Sequence, residues 1–376
     1  MKKIILVAAV LFSSQPIFAQ MKLIKKLLSN EKDTTRSASF LPVPSFGYSQ
    51  ETGLQFGVGA IYSFYVDRKD TANRSSNFST TATYSTKRSY NFSLLGDAWT
   101  TGNRYHFLEE IRFKKLPFSF YGIGNNTNAA DEDKLVQQLI KLNFDLEKSI
   151  AEHAYAGVSL GFEDYAFNAK TPNGILNSGK TILGKDGGHV IYVGLSQSYD
   201  TRNNNNYPTK GFFGRVTYQY APNIFGGQNF NGSKIGLNLR NFWRVGNKFV
   251  LGTQGIYNNV LSKNTPFYLL PQLGNDEIMR GYYAGRYRDE NLLAFQAELR
   301  YRYNNRFGAV IFAGTGTVWG ISNFSVDTFK PSLGGGLRYF YDPAKGLSVR
   351  VDYGLGEKRP TEKRQSGLYI SVAEAF

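Results

Sequence analysis

The sequence predicts an all-β fold: a transmembrane antiparallel β-barrel of about 16 strands, with one long extracellular loop folded inward. Three observations predict it. Segments alternate apolar and polar residues, as in Leu293-Ala294-Phe295-Gln296-Ala297-Glu298-Leu299-Arg300-Tyr301-Arg302, where Leu293, Phe295, Ala297, Leu299 and Tyr301 share one face. Successive side chains of a strand point to opposite sides, so such a segment is apolar outward and wet inward. The chain carries 25 Tyr, 29 Phe and 39 Gly, well above ordinary soluble usage. Past residue 19, however, no stretch approaches the roughly 18 uninterrupted apolar residues that a membrane helix needs. Finally, the connections alternate between short and long, as hairpins do around a barrel.

In chain order, residues 1–19 join Lys2 and Lys3, an apolar run from Ile4 to Phe12 and the small ending Ile17-Phe18-Ala19. This reads as a secretory signal cleaved before Gln20, so the mature chain is exported. Residues 20–42 are a short periplasmic leader. Its Met21-Lys22-Leu23-Ile24-Lys25-Lys26-Leu27-Leu28 run has helical spacing and reads either as an interfacial helix or as a disordered arm. The barrel occupies 43–376, with strands near 43–49, 53–66, 76–87, 90–100, 103–114, 134–150, 153–168, 187–200, 211–222, 232–245, 248–262, 291–303, 307–319, 331–341, 346–354 and 366–376.

Tight turns at Thr101-Gly102, Ala151-Glu152, Gly246-Asn247, Asn304-Asn305-Arg306 and Asp342-Pro343-Ala344-Lys345 mark the periplasmic mouth. The connections 117–133, 168–185, 262–290, 320–330 and 355–366 are longer and face outward, which leaves both termini in the periplasm. With no cysteine there is neither a disulfide framework nor a thiol to lipidate. The anchor is the fold.

The net charge is +15, or +13 once Lys2 and Lys3 leave with the signal. Such an excess favours contact with anionic lipid and lipopolysaccharide, and basic residues along the lumen and rims account for most of it. Nucleic acid is not an expected partner, because the arginines are spread through strands and no binding module is present. No Gly-x-Ser-x-Gly elbow appears. His106, His153 and His189 fall on separate segments without cysteine or clustered acids, so neither catalysis, a metal site nor a cofactor is expected.

The long connection contains Leu273-Gly274-Asn275-Asp276-Glu277-Ile278-Met279-Arg280-Gly281-Tyr282-Tyr283-Ala284-Gly285-Arg286. It is too aromatic for a disordered tip. Its limbs reach about 60 Å and about 34 Å at roughly 3.4 Å per residue, enough to carry Arg280 deep into a barrel with an apolar band about 25 Å tall. An ordered arginine there wants a carboxylate. The inward acids at hand are Asp352 and Glu298, with Tyr282 or Tyr283 placed to stack on neighbouring arginines. The turn Asp200-Thr201-Arg202-Asn203-Asn204-Asn205-Asn206-Tyr207-Pro208-Thr209-Lys210-Gly211 pairs Asp200 with Arg202, bends at Pro208 and restarts the strand at Gly211. Glycines 314, 316, 334 and 336 sit within strands, where close approach by a luminal loop explains them.

These motifs resemble those of the BamA/TamA-type outer-membrane assembly factors, also described as bacterial surface antigen barrels. The Met279-Arg280-Gly281-Tyr282 core resembles that family's inward-folded loop motif, and the Asp200 to Gly211 turn resembles its recurrent turn. Phe312-Ala313-Gly314-Thr315-Gly316-Thr317-Val318-Trp319 resembles a strand in which the family has an aspartate where Gly314 stands. The resemblance implies an arginine lock formed by Arg280, Gly281 and Tyr282 with a wall acid. It also implies protein insertion into, or translocation across, the bacterial outer membrane. The terminal Phe376 resembles the signal that assembly machinery reads on client barrels, with Glu374 departing from it. Twenty-odd residues before the first strand leave no room for periplasmic POTRA repeats, so this function implies a separate periplasmic chaperone or POTRA-bearing partner. The alternatives are a passive anion-leaning pore and a structural surface barrel, including a subunit of a homodimer.

Overall fold

The computed structural model describes residues 29–30, 35–49, 53–169, 171, 174–177, 182–227 and 229–376. The signal over 1–19 and the helical run 21–28 lie outside them. Eighteen strands follow in order among these residues: β1 (Ser39–Ser49), β2 (Gly53–Phe64), β3 (Ser76–Ser85), β4 (Tyr90–Trp99), β5 (Tyr105–Phe120), β6 (Asp133–Ala151), β7 (Ala154–Ala169), β8 (Gly187–Asp200), β9 (Gly211–Ala221), β10 (Gly232–Val245), β11 (Phe249–Leu261), β12 (Gln272–Leu273), β13 (Tyr287–Arg288), β14 (Asn291–Arg302), β15 (Phe307–Trp319), β16 (Lys330–Asp342), β17 (Leu347–Leu355) and β18 (Ser366–Val372). All but β12 and β13 form one sixteen-stranded sheet in chain order. β12 and β13 make a small hairpin inside the long connection.

Alternation sets the two faces of this sheet. Phe144, Leu160, Leu195, Phe295, Ile311, Leu337 and Ile370 are exposed on the outer side, an apolar belt suited to lipid. The inner side holds Glu147, Gln254, Glu298, Arg300, Arg338, Arg350 and Asp352, all buried. The interior is therefore a packed polar core.

Three boundaries differ from expectation by four residues or more, each for a local reason. β1 begins at Ser39, so residues 39–42 belong to the barrel and not to the leader. β5 runs through Pro117 to Phe120, six residues past the expected end at 114. Its ladder with β4 stops at Lys115 while that with β6 continues, so Pro117 sits where β5 has a single neighbour and its missing N–H falls on the free edge. The last strand stops at Val372, because Ala373 turns to φ 67°.

Among the described residues β1 pairs with β2 and β18 with β17, and no ladder joins β1 to β18. Pro42 and Pro44 on β1 suit an edge with no partner. Leu41, Val43 and Ile61 lie on the inner side of their strands, opposite to exposed Phe40 and Tyr62. They form one apolar cluster with Tyr339, Tyr341, Leu347, Val349 and Val372, which alternate onto the outer side with exposed Leu337, Val351 and Ile370. The first hairpin thus overlaps the last strands at the short-turn end. A polar staple fixes the overlap: Ser39 Oγ donates to Asp342 Oδ2 at 2.7 Å, and Lys345 Nζ donates to Asp342 Oδ2 at 2.7 Å and to Ser37 O at 2.6 Å.

Candidate functional site

The connection after β11 turns into the lumen, as its length allows. Its Phe267, Tyr268 and Leu269 pack with Phe120, Leu135 and Phe167 under the long loops. In the β12–β13 hairpin and the loop between its strands, Leu273, Met279, Tyr282 and Tyr287 are buried against the wall residues Ile256, Leu292, Ala294 and Val318. Gly281 has φ 109°, and a Cβ there would sit 2.6 Å from Leu355 C. Only glycine allows this approach.

Arg280 is completely buried. Its Nη1 donates to Asp352 Oδ2 at 2.6 Å, its Nη2 donates to Glu298 Oε1, and its guanidinium carbon lies 3.6 Å from the Phe312 ring centroid. Both candidate acids are partners, one from β14 and one from β17. Arg280 stacks on Phe312, and among the described residues no arginine stacks on Tyr282 or Tyr283. Tyr282 instead donates its hydroxyl hydrogen to Pro331 O at 2.5 Å and accepts from Glu357 N at 2.9 Å. Tyr283 is partly exposed, and its hydroxyl accepts from Ser119 N at 3.0 Å.

The acids in turn hold further arginines. Glu298 Oε2 accepts from Arg300 Nε at 2.8 Å. Asp352 accepts from Arg338 at 2.5 Å and from Arg350 at 2.9 Å. Arg350 reaches Asp276 of the loop at 2.9 Å, and Arg338 reaches Glu374 at 2.7 Å. Four arginines therefore face four carboxylates. Such pairing offsets the cost of removing these charges from water, and each single deletion is correspondingly expensive.

The strand glycines divide into two groups. Gly314 and Gly316 face the loop, since a Cβ at either would meet Met279 Sδ at 3.4 Å or Leu273 Cδ1 at 2.9 Å. Met279 thus occupies the space beside Gly314. Gly334 and Gly336 correct the expectation of loop approach, because they clear room for the wall's own side chains. A Cβ at Gly334 would fall 2.4 Å from the Phe312 ring, and one at Gly336 1.8 Å from Asp352 Oδ1. Gly336→Ala is expected to displace Asp352 and lower stability by about 1–3 kcal/mol, seen as a lower denaturant midpoint. An unchanged midpoint would show that the carboxylate has other room.

The turn after β8 does more than its local pairing suggests. Asp200 accepts from Arg202 at 2.8 and 2.9 Å, as expected, and also from Arg74 of the β2–β3 connection at 2.8 Å. Pro208 is buried, and Gly211 has φ 105° with Thr201 O where a Cβ would be. Asn205 Nδ2 donates to Ser75 O at 3.0 Å and Asn206 Nδ2 to Lys345 O at 3.0 Å, so the turn forms a crossbar over this mouth.

Two arrangements were not foreseen. After Ala373 the chain bends into the lumen, where Ala375 and Phe376 pack on Phe242 and Val250, and Arg300 Nη2 donates to Phe376 O at 2.7 Å. Phe376 is therefore an interior residue and does not continue β18 as an outward-facing aromatic. The departure at Glu374 is explained by its ion pair with Arg338. His106, expected to stand apart from acids, lies 3.0 Å from Asp97 Oδ1 and 3.2 Å from Glu147 Oε2, stacked on Trp99. Glu147 also accepts from Ser196, Ser198 and Arg215. The matching inward positions on β4, β5 and β6 were the available signal. No metal-ligating cluster occurs among the described residues.

Fold and site together define a class: a membrane β-barrel whose lumen is filled by a loop pinned through one arginine to two wall carboxylates. The chain belongs to the Omp85 superfamily, whose domain model matches residues 71–376. It is similar in structure to BamA from Haemophilus ducreyi lacking POTRA domains 1–3, with TM-score 0.55 and 15% identity, covering 90% of this chain and 70% of that one. CdiB from Acinetobacter baumannii matches with TM-score 0.55 and 11% identity over 90% of this chain and 60% of that one. CdiB from Escherichia coli matches with TM-score 0.56 and 11% identity over 89% and 62%. The chain thus spans less than two thirds of the two CdiB structures. At these identities the likeness carries the fold alone. Comparison with curated proteins gives no match.

Proposed function

We propose that this barrel acts, without enzymatic chemistry, in inserting proteins into or moving them across the outer membrane of a Gram-negative cell, with a separate periplasmic partner capturing clients. The short turns and both termini face the periplasm, and the apolar belt meets lipid and, on the outer leaflet, lipopolysaccharide. The observation that carries this reading is the seam. Among the described residues β1 and β18 share no ladder, and their overlap is held by side chains at one end. A free strand edge is a template for another strand, whereas a barrel closed by a full ladder offers none.

The passive-pore reading meets the filled interior: loop, crossbar and inturned tail all occupy the path through the barrel. Planar-bilayer recordings are accordingly expected to show little steady conductance. Depleting the protein and quantifying the outer-membrane proteome tests the assembly reading. Reduced amounts of other barrel proteins or of surface-exported ones are expected, and unchanged amounts would overturn it. At the seam, Val43→Asp buries a carboxylate in the overlap and is expected to speed hydrogen exchange across Ser39–Ser45 while leaving β14 protected. Equal exchange in variant and wild type would show that the overlap does not hold the seam.

A further inference from the structure

We propose that the cleft at the short-turn mouth docks an acidic polypeptide segment of a periplasmic partner. It is a space of about 370 Å³ between the β8–β9, β10–β11, β14–β15 and β16–β17 turns, lined in part by Asn203, Tyr207, Arg244, Lys248, Arg302 and Asn305. Among the described residues no carboxylate lines it. That is unlike the lumen above, where Arg280, Arg300, Arg338 and Arg350 each meet an acid. Arg244 makes one hydrogen bond, from Nη2 to Thr209 Oγ1 at 3.0 Å, and Lys248 Nζ has only the Tyr303 ring at 5.9 Å. Among the described residues neither cation has a carboxylate partner.

The cleft is also built to hold its shape. Arg302 stacks on Phe340 at 3.4 Å and donates to Asn304 O at 3.0 Å and Asn305 O at 2.7 Å. Asn203 Oδ1 accepts from Thr209 N at 3.0 Å and from Lys210 N at 3.1 Å, which braces the turn. Tyr207 stands edge-on to Phe340 with centroids 5.0 Å apart. Cations beside the carboxamides of Asn203, Asn204, Asn247 and Asn305 suit carboxylates together with the peptide groups that carry them.

Lipid headgroups fit less well, because Tyr207, Arg244 and Arg302 place the cleft inside the ring of turns and not on the outer belt. The chain's own leader is the rival occupant: Asn30 accepts from Asn305 at 3.1 and 2.6 Å at the cleft's rim, and Glu31 and Asp33 follow it in sequence, although Lys22, Lys25 and Lys26 repeat the charge of the cleft. A full chain whose leader fills the cleft binds no added peptide, and that outcome overturns the proposal. The proposal rests on the orientation given under Proposed function, but binding by the purified barrel does not depend on it.

The test is fluorescence anisotropy of a labelled Asp- and Glu-rich peptide with the full chain in detergent micelles, beside the matched Asn- and Gln-rich peptide. The acidic peptide is expected to bind, with affinity falling steeply as salt rises. The Arg244→Gln, Lys248→Gln double variant is expected to bind about tenfold more weakly while keeping wild-type heat-modifiability. Lys363→Gln at the opposite mouth is expected to leave binding unchanged. No binding at low salt, or equal binding by the double variant, overturns the proposal. So does a double variant that loses affinity for phosphatidylglycerol vesicles but not for the peptide, which would assign the cleft to lipid. Each of these outcomes leaves the proteome test standing, so the two readings fail separately.

Discussion

Replacing Arg280 by alanine is expected to lower the stability of the barrel by about 3–5 kcal/mol, the range for breaking a buried ion pair from one side. The variant should unfold at lower denaturant, lose heat-modifiability on gels and be cut by protease within 262–290. Arg280 neutralises part of two carboxylates and carries the loop that bears them company, so charge and packing are lost together. Arg280→Lys should recover only part of the loss, because an ammonium cannot span two acids as a planar guanidinium does. Wild-type mobility and protease resistance in the alanine variant would mean that Leu273, Met279 and Tyr282 hold the loop by packing alone.

Asp352→Asn is expected to do at least as much damage, and more than Glu298→Gln. The ordering follows from the number of arginines each acid serves. Asp352 takes hydrogen bonds from Arg280, Arg338 and Arg350, whereas Glu298 takes them from Arg280 and Arg300. Removing one negative charge beside three buried guanidinium groups leaves them repelling one another in a medium that screens poorly. Adding Arg338→Met to Asp352→Asn should restore part of the stability, a coupling that a double-mutant cycle measures. If Glu298→Gln proves the more damaging, the loop is held chiefly through β14.

The sheet itself was legible in the chain. Period-2 alternation placed Glu298 and Asp352 inward and Leu293 outward without any knowledge of neighbours, and the length of 262–290 together with Arg280 marked a loop bound for the interior. What stayed hidden depends on which strands face one another across the lumen. Local spacing says nothing about Asn206 meeting Lys345, nor about Phe376 reaching Phe242. Both acids hold Arg280 because β14 and β17 curve toward the same point, a property of closure and not of sequence neighbourhood. Phe312 was passed over as the stacking partner because its motif drew attention to Gly314. Pro117 misled in the opposite direction: a proline usually argues against a strand, and it is tolerable only because β4 starts at Tyr90, level with Lys115.

Arg300 and Arg338 each have one hand on a wall acid that holds the loop, Glu298 and Asp352, and the other on the inturned tail, through Phe376 and Glu374. Whatever draws the tail out of the interior therefore also takes counter-charge from the two carboxylates that grip Arg280. The plugs at opposite mouths are coupled through the same two side chains. They should melt in a single transition, and a ligand that pulls on either one will be felt at the other.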